Sequence, residues 1–429
     1  MRVLVEPTKG QIFEILEERK TNFLNIEENV RLIVENVRKN GQSALDEYIS
    51  KYEKCALKGE QILVRQEELE SAKVEPEFEE ACEKLIERLE AFHSMQLERS
   101  VWSLTKNGSF TAQLVRPIES VAIYVPSGKK VYFTTLLMCA IPAKIAGVER
   151  IVVASPADEE GKLSPYVLHL CRRLGVKEVY KMGGAHAIAA LAYGTDVVKK
   201  VDKIVGPGNA YVSCAKKLVF GDCGIDSVAG PTELLIVADE TADPKLVAID
   251  MLAQAEHDEM AMSVLLTNDE DLLDRTLEEL AKQLNELSEP NRSIAQVSLE
   301  RNGLSILTKD LNNAIEFVNL FAPEHLELFA EDPFSLLPKV KNAGSVFLGS
   351  WSAEALGDYG IGPNHVLPTS TSARFSSGLS VQDFLKRIFV TRVSEEEVLK
   401  EGRFYSTLAR LEGFEAHARS IEVRMEGSR

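Results

Sequence analysis

The chain has 429 residues, of which 49 are Lys or Arg and 66 are Asp or Glu, so its formal net charge is −17. An apolar fraction of 45% and a charged fraction of 27% are ordinary for a globular protein and exclude a low-complexity or collagen-like chain. The acidic balance argues against binding to nucleic acid or to an anionic membrane surface. The length predicts two or three domains.

The N-terminal sequence MRVLVEPTKGQIFEILEERK has an apolar stretch too short and too charged for a signal peptide. No run of about 18 apolar residues occurs, so we expect no membrane-spanning helix. The six cysteines form no CxxC pair, which favours buried free thiols in a reducing compartment. We therefore expect a cytoplasmic protein.

Helices are predicted first along the chain, followed by strands that alternate with helices. Residues 1–115 are rich in Glu, Lys and Leu at helical spacing, and residues 75–99 predict a long amphipathic helix. From about residue 120, short β-branched runs are each followed by a turn and an apolar helical pattern; these runs are SVAIYVP, RIVVASP, KEVYKMG and DKIVGPG. The alternation predicts a parallel sheet with helices on both faces, spanning about residues 120–230.

The same alternation returns over residues 233–350. Its predicted strands are ELLIVAD, SVLLT, SILTK, HLELF and SVFLG. A loop rich in Gly, Pro, Ser and Thr occupies residues 360–380, and a helical tail follows, in which Ser394 and Glu397 have the spacing of a capping box. The fold class is therefore α/β, with two doubly wound units.

Several glycine-rich segments lie at predicted strand–helix junctions. The segment KIVGPGNAYV contains Asn209, YVPSGK contains Tyr124, and KMGGAHAIAA contains His186. Such junctions bind nucleotides and phosphates because free N–H groups and the helix dipole meet there. The chain has no GxGxxG motif, and glycines are routine at tight turns, so these segments alone favour a structural role.

Two short motifs offer polar side chains near strand or helix ends. In QAEHDE, Gln254 and His257 lie on one face near a helix C-terminus, where a cation is favoured, although a lone QxxH is more typical of a polar helix end. In FAPEHLEL, the adjacent Glu324 and His325 either relay protons near neutral pH or cap the turn.

Asp358 lies in the glycine-bounded loop GDYGIGPNH, where it either ligates a metal or forms an Asx turn. Glu412 and His417 lie in LEGFEAH on the tail. Together Gln254, His257, Asp358 and His417 offer nitrogen and oxygen donors without sulfur, which suits zinc. Their spacing does not establish that they converge.

Ten segments closely resemble histidinol dehydrogenases, in the same order and most densely from residue 120 to 380. They are YVPSGK, LMCAIPAKIAGV, GGAHAIAALAYGT, VDKIVGPGNAYV, GIDSVAGPTELLIVAD, QAEHDE, FAPEHLEL, NAGSVFLG, GDYGIGPNHVLPT and ARFSSGLSV, and the match resumes at LEGFEAH. The resemblance implies a homodimer with one Zn²⁺ per subunit. It also implies oxidation of L-histidinol to L-histidinaldehyde and then to L-histidine by two NAD, the last steps of histidine biosynthesis.

The resemblance also assigns site residues by their match to the family's motifs. It implies that Glu324 and His325 are the catalytic acid–base pair. The implied zinc ligands are Gln254, His257, Asp358 and His417, with His417 supplied by the partner subunit. The implied substrate contacts are Thr232, Gln254, His257, Glu324, His325, Asp358, Glu412 and His417, and the implied NAD contacts are Tyr124, His186 and Asn209.

The family's fold implies two incomplete Rossmann-like units, an N-terminal helical arm and a helical C-terminal tail exchanged within the dimer. The resulting domain prediction is an arm at 1–24, a first α/β domain at 25–115 and 232–375 with the metal and catalytic residues, a second α/β domain at 116–231 on the NAD side, and a tail at 376–429.

This chain departs from the family pattern at several positions. The family commonly has Gly at Ser127, Gln at His186, Ser at Thr232 and a Gly pair near Ser370 and Thr371. Thr232 keeps the hydroxyl, so the chemistry should survive. His186 in place of Gln differs in side-chain length and can carry a charge, so NAD affinity is the property that we expect to change most.

Three other functions remain open from the sequence. A paralogous zinc- and NAD-dependent dehydrogenase would oxidise a different small alcohol, although Glu412 disfavours it. A zinc hydrolase would use Glu324 as the base, but HExxH is absent and the two α/β units would have no role. A non-catalytic binding module would predict broken zinc-ligand positions, and none is broken.

Overall fold

A computed structural model describes residues 1–19, 25–127 and 131–427 of the chain. The strands are β1 (Arg2–Val5), β2 (Val101–Leu104), β3 (Phe110–Pro117), β4 (Ser120–Tyr124), β5 (Arg150–Ser155), β6 (Glu178–Lys181), β7 (Lys203–Val205), β8 (Gly224–Ile225), β9 (Glu233–Ala238), β10 (Met262–Thr267), β11 (Leu304–Leu307), β12 (His325–Phe329), β13 (Ser345–Leu348) and β14 (Leu385–Arg392).

The helices are α1 (Lys9–Arg19), α2 (Glu27–Tyr52), α3 (Gln66–Ser71), α4 (Pro76–Ser94), α5 (Phe133–Ala146), α6 (Pro165–Leu174), α7 (Gly184–Tyr193), α8 (Ala210–Val219), α9 (Pro244–Ala255), α10 (Glu270–Leu284), α11 (Asn291–Asn302), α12 (Leu311–Phe321), α13 (Pro333–Leu336), α14 (Glu354–Asp358), α15 (Glu395–Leu411) and α16 (Glu415–Glu426). Short 3₁₀ turns occur at Gly59–Ile62, Leu337–Lys339, Ser372–Arg374 and Val381–Phe384. Every helix in the described ranges is too short or too polar to cross a membrane.

Two parallel sheets form the body of the protein and confirm the predicted α/β class. One has five strands in the order β6-β5-β4-β7-β8, and the other has six in the order β1-β11-β10-β9-β12-β13. Numbered from β4 and from β9, both contain the order 3-2-1-4-5, which is five sixths of the doubly wound nucleotide-binding order. Their strands are nearly continuous apolar runs because helices cover both faces.

The segment predicted as an N-terminal arm, residues 1–24, begins with an edge strand before its helix. Strand β1 pairs in parallel with β11, from Arg2 opposite Leu304 to Val5 opposite Leu307. Helix α1 then buries Ile12 against the apolar core of the same sheet. Burial of these side chains holds the segment on the sheet, and residues 20–24 of the predicted arm lie outside the described residues.

The helices within residues 25–115, which the domain prediction groups with 232–375, pack on the five-stranded sheet. Helix α2 buries Val30, Val34 and Val37 in a core that it shares with α7, α8 and one face of the five-stranded sheet. Helix α4 buries Leu85 and Leu89 against the other face, with α5 and α6. These apolar stripes match the sheet that residues 120–225 form, so the helices complete that unit.

The tail contains a strand that the helical prediction missed. Strand β14 pairs antiparallel with β3, which pairs on its other side with β2, so a three-stranded sheet links the tail to the segment before β4. Just before β14, Phe384 is buried in the core around α5. The predicted helix start is confirmed, because the Ser394 hydroxyl accepts a hydrogen bond from the Glu397 N–H at the beginning of α15.

Candidate active site

A cavity of about 230 Å³ lies between the two sheets. Its walls come from the amino end of the six-stranded sheet and the carboxyl end of the five-stranded sheet. The first supplies Thr232, Glu324 and His325, and the second supplies Gly206 and Asp226. The polar residues that the sequence singled out before β9 and at the start of β12 therefore share one space.

The chain turns sharply to bring Glu324 to this edge. Helix α12 ends at Ala322 in the left-handed conformation (φ 48°), and Pro323 prevents the helix from continuing. Helix α9 runs back against the direction of β9, so its C-terminal end, with Gln254, returns to the same edge. Two independent elements thus deliver polar side chains to the amino end of the sheet.

Glu324 is buried and held by two donors. The Thr232 hydroxyl donates to Glu324 Oε2 at 2.5 Å, and the Glu233 N–H donates to the same oxygen at 3.0 Å. Gln254 Nε2 in turn donates to Thr232 Oγ1 at 3.0 Å. Burial raises the pKa of Glu324 well above its usual value, although these hydrogen bonds oppose the shift.

The His325 imidazole is fixed with one basic nitrogen. Its Nδ1 lies 3.2 Å from the carbonyl oxygen of Glu233, and its Nε2 lies 3.5 Å from Glu354 Oε1. A carbonyl oxygen only accepts hydrogen bonds, so Nδ1 carries the proton and Nε2 keeps its lone pair. Burial lowers the pKa of His325 to about 4, so the ring is neutral at physiological pH.

Nitrogen and oxygen donors cluster beside this pair. His257 Nε2 lies 3.7 Å from Asp358 Oδ2, and one ligand atom each of His257, Glu354 and Asp358 lie within 4.8 Å of one another. Gln254 Oε1 is buried and has no hydrogen-bond partner among the described residues. An orphaned amide oxygen beside an imidazole and a carboxylate fits a borderline cation such as zinc.

Asp358 is suited to hold a positive charge at this cluster. Burial acts to raise its pKa, but a hydrogen bond from His365 and the charges of nearby histidines prevail and lower the pKa below its usual value. His365 Nδ1 lies 3.4 Å from Asp358 Oδ1. The carboxylate is therefore ionised. Asp358 is the last residue of α14 rather than part of the predicted loop, and it contacts histidines rather than forming an isolated turn.

A larger cavity of about 950 Å³ opens at the carboxyl end of the five-stranded sheet. Tyr124, His186 and Asn209, which follow or end three different strands, all line it. The Gly184 N–H donates to the Tyr124 hydroxyl at 3.1 Å, and burial raises the pKa of Tyr124 to about 12. Asn209 caps α8 by accepting from the N–H groups of Tyr211 and Val212. The carboxyl end of a doubly wound sheet is the usual place for a nucleotide.

A rigid loop lies between the two cavities. Gly206 has φ 110°, and a Cβ there would lie 2.3 Å from the carbonyl oxygen of Tyr124, so only glycine fits. Lys216 Nζ donates to the Gly206 carbonyl at 2.8 Å, and Asp226 Oδ2 accepts from the Gly206 N–H at 2.7 Å. Lys216 and Asp226 also form a buried ion pair, which holds the loop from both sides.

Comparison with known proteins decides the family. A family model described as histidinol dehydrogenase matches residues 16–425. A histidinol dehydrogenase of Thermotoga maritima is 51% identical over 426 residues, which cover 99% of this chain and 100% of that protein. The crystal structure of histidinol dehydrogenase from Elizabethkingia anophelis has a TM-score of 0.92 and 36% identity, and the match covers 100% of this chain and 98% of that chain. The chain belongs to the histidinol dehydrogenase family.

A further relative supports this assignment. A histidinol dehydrogenase of Aquifex aeolicus is 47% identical over 413 residues, 96% of this chain and 94% of that protein. The matches cover whole chains, so the similarity includes both sheets and the tail. The chain is therefore an oxidoreductase of this family.

Two residues that the family resemblance assigns to the site lie away from it in this chain. Glu412 directly follows α15 and His417 lies on α16; both are exposed and neither lines the cavity. The His417 ring instead packs near Phe414, with ring centroids 5.0 Å apart. Their roles toward substrate and metal stay predictions that require a second copy of the chain.

His186, which departs from the family's usual Gln, forms a pair that the sequence did not indicate. Its Nε2 lies 2.9 Å from Glu53 Oε1, which also accepts from the Gly183 N–H at 2.9 Å. The ring centroid lies 6.2 Å from that of Tyr48. Glu53 is 130 residues from its partners in sequence, so no local pattern could reveal it.

The other departures have local consequences. Thr232 retains the hydroxyl that joins Gln254 to Glu324. Ser370 and Thr371 both adopt left-handed backbone conformations, with φ 52° and 67°, which explains why the family commonly has glycines there. Ser127 lines the larger cavity, while residues 128–130 of the same turn lie outside the described residues.

Proposed function

We propose that this chain oxidises L-histidinol to L-histidine through bound L-histidinaldehyde, with zinc and NAD, in the last steps of histidine biosynthesis. The observation that carries the proposal is the placement of a neutral buried imidazole, a buried carboxyl and a nitrogen–oxygen donor cluster around one cavity. The nearby nucleotide-sized cavity supports a dinucleotide co-substrate. Relatives at 51% and 47% identity carry the name histidinol dehydrogenase, which supports the substrate.

In the first oxidation, His325 is the base. Its Nε2 accepts the proton of the substrate hydroxyl while a hydride leaves the same carbon, giving the aldehyde. The lowered pKa keeps the ring neutral and ready for this step. NAD, when bound, accepts the hydride, and Tyr124, His186 and Asn209 are the residues that we assign to its cavity.

In the second oxidation, Glu324 is the base that activates water. The carboxylate takes a proton from water as the water oxygen adds to the aldehyde carbon, and return of that proton to the resulting alkoxide gives the hydrate. A second hydride then leaves the same carbon for a second NAD, and both hydroxyl protons of the hydrate are lost, which yields the carboxylate of histidine. The raised pKa of Glu324 suits a carboxyl group that must both release and accept protons during the reaction.

Gln254, His257 and Asp358, with His417 of a second copy, are the residues that we assign to zinc. The ion, when bound, supplies a Lewis acid that holds the substrate amine and imidazole. The chain's own contribution is orientation, because Thr232 fixes the Gln254 amide so that its Oε1 remains available. This arrangement would align the alcohol carbon with the hydride acceptor.

The exposed position of the tail supports a homodimer. Glu412, just after α15, and His417, on α16, are both exposed, so their assigned contacts require delivery into the cavity of a partner subunit. Phe389 and Leu411 on the tail are about four-fifths exposed, which is typical of side chains covered by another subunit. Glu412 would then contact the substrate. We expect the enzyme in the cytoplasm, where its free thiols are stable.

The test is the dependence of NADH formation on zinc and on substrate. Protein treated with a chelator and then reloaded with Zn²⁺ is assayed with L-histidinol, and with a small amino alcohol that lacks the imidazole. We expect NADH only with the reloaded protein and only with L-histidinol. Equal rates without zinc would remove the metal from the proposal, and a preference for the other alcohol would favour a paralogous dehydrogenase.

A further inference from the structure

A buried seam of polar side chains runs inward from the candidate metal cluster. Asp250 and Gln254 lie one turn apart on α9, His325 and Glu327 lie on β12, and Glu354 begins α14. Gln254 belongs to the metal assignment and His325 to the acid–base pair. The inner three residues, Asp250, Glu327 and Glu354, are carboxylic acids to which the proposed function gives no role.

The seam arises because successive side chains of β12 point to opposite faces of the sheet. Residues two apart on a strand share a face, so His325 and Glu327 point together toward α9 and α14. Leu326 and Leu328 point to the opposite face, where they join the apolar core beneath α1 and α12. Glu327 is fully buried, and a charged side chain on this face is costly unless it has a use.

Glu354 lies behind the catalytic imidazole. Its Oε1 is 3.5 Å from His325 Nε2 and makes no hydrogen bond among the described residues. The side chain is 2% exposed, and Glu354 does not line the substrate cavity. It therefore touches the imidazole from the protein side rather than from the substrate side.

The backbone of Glu354 is itself held in place. Its N–H donates to Glu327 Oε1 at 2.7 Å, which anchors the first residue of α14 to β12. The Asp250 carboxyl interacts with Glu327 from α9. This chain of contacts fixes Glu354 relative to the strand that carries His325.

We propose that Glu354 is a positioning residue for His325, an inference that rests on the proposed function. The ring is confined by the Glu233 carbonyl oxygen at Nδ1 and by Glu354 at Nε2. The Glu233 carbonyl oxygen fixes the tautomer, and Glu354 limits rotation of the ring and so helps to fix the direction of the Nε2 lone pair. A carboxyl oxygen beside Nε2 also favours the positive ring that forms when the substrate hydroxyl transfers its proton. Carboxyl groups that orient metal-ligating imidazoles commonly affect activity by about 10- to 100-fold, and we expect an effect of this size for the His325 imidazole.

The test is Glu354→Gln in the zinc-loaded enzyme. The amide keeps the size of the side chain but can donate to Nε2 and engage its lone pair. We expect kcat to fall by about 10- to 100-fold, while KM for L-histidinol and zinc content per subunit stay at the wild-type values. Thermal unfolding checks that the variant folds. Should it fold poorly, Glu354→Asp, which withdraws the carboxyl by one methylene, carries the same expectation of lower kcat with unchanged zinc.

Asp239→Asn is the matched control. Asp239 is also a buried carboxylate, at the opposite edge of the same sheet, where it accepts from the N–H groups of Thr241 and Glu331. We expect this variant to lose stability but to keep kcat. Comparison with this variant therefore separates the loss of stability caused by removing any buried carboxylate from a loss of kcat caused through the His325 imidazole.

A double variant shows whether Glu354 acts through His325. If it does, Glu354→Gln added to His325→Ala lowers kcat no further than His325→Ala alone. A multiplicative loss in the double variant, an unchanged kcat in Glu354→Gln, or loss of zinc with a raised KM would each overturn the inference. Failure of the proposed function is distinguishable, because the wild-type enzyme would then form no NADH from L-histidinol.

Discussion

The two parallel sheets share one strand order but present their polar side chains at opposite ends. The five-stranded sheet opens a cavity of about 950 Å³ at its carboxyl end, where nucleotides usually bind to such sheets. The six-stranded sheet contributes instead through its amino end, where Glu324 and His325 begin β12. Topology alone therefore does not decide which end of a sheet carries the chemistry.

Side chains at the strand ends explain the difference. At the carboxyl end of the six-stranded sheet, Asp239 accepts hydrogen bonds from the Thr241 hydroxyl and N–H and from the Glu331 N–H, so the connections close over that edge. At the carboxyl end of the five-stranded sheet, Gly206 lets the chain pass close to Tyr124 and leaves room beside it. The two open edges face each other, so that substrate and co-substrate can meet between the sheets.

The substitution expected to lower kcat most lies at the amino end of the six-stranded sheet. His325→Ala removes the only group that we assign to the hydroxyl proton, so kcat for L-histidinol oxidation should fall by roughly 100- to 10,000-fold. Initial rates of NADH formation measure the loss, with zinc content as the control for an intact metal cluster. Turnover near the wild-type value would show that the chemistry does not depend on this edge.

A pH profile separates the role of the His325 imidazole from the role of the Glu324 carboxyl group. The lowered pKa of His325, about 4, keeps the ring neutral across neutral pH, so the rate of alcohol oxidation should decline only as the pH approaches that value. The raised pKa of Glu324 means that its basic form appears only as the pH increases, so oxidation of added L-histidinaldehyde should accelerate with pH. Glu324→Gln should remove that acceleration; identical profiles for both substrates would contradict the division of roles.

A smaller effect is expected at the carboxyl end of the five-stranded sheet. His186→Ala removes a contact with Glu53 at 2.9 Å, and one hydrogen bond is worth about 0.5–1.5 kcal/mol, so KM for NAD should rise about two- to tenfold with kcat unchanged. His186→Gln, the residue that the family commonly has, keeps a hydrogen-bonding group and is the matched variant. A fall in kcat instead of a rise in KM would mean that His186 serves the chemistry rather than the co-substrate.

The smallest expected effect concerns protein stability and the loop at residues 360–380. Thr371 has φ 67°, a conformation that costs an L-residue about 1–2 kcal/mol and that glycine adopts freely, although glycine loses more entropy on folding. Thr371→Gly should therefore raise the melting temperature by about 1–2 °C. Thr391→Gly, on the exposed side of β14, should lower it. A lower melting temperature for Thr371→Gly would show that other contacts of the side chain outweigh the backbone strain.

The sequence predicted the central strands because they are continuous apolar runs bounded by Gly and Pro. It missed β14 because the run LKRIFVTR carries three basic residues and pairs with β3, more than 260 residues earlier. It did not indicate which sheet α2 and α4 pack on, because an amphipathic stripe predicts burial but not its packing partner. Packing partners of helices are set by the tertiary structure.

The candidate site was likewise only partly predictable from the sequence. Local motifs drew attention to Gln254, His257 and Asp358, whose assignment to zinc comes from the family resemblance and stays a prediction. Glu354 and Glu53 were missed because an isolated Glu at a helix end is common on protein surfaces. One signal was present: Glu327 interrupts the apolar strand HLELF on the same face as His325, and a charge on a buried strand face indicates a polar partner. The partner itself, reached through α14, required the structure.

The central claim is that the two facing edges carry out both oxidations on one bound substrate. The direct measurement is the amount of NADH formed per L-histidinol consumed, with zinc present, NAD in excess and the product identified. We expect two NADH per L-histidinol and L-histidine as the product. One NADH with free aldehyde would contradict the assignment of water activation to Glu324 and the retention of the intermediate between the sheets.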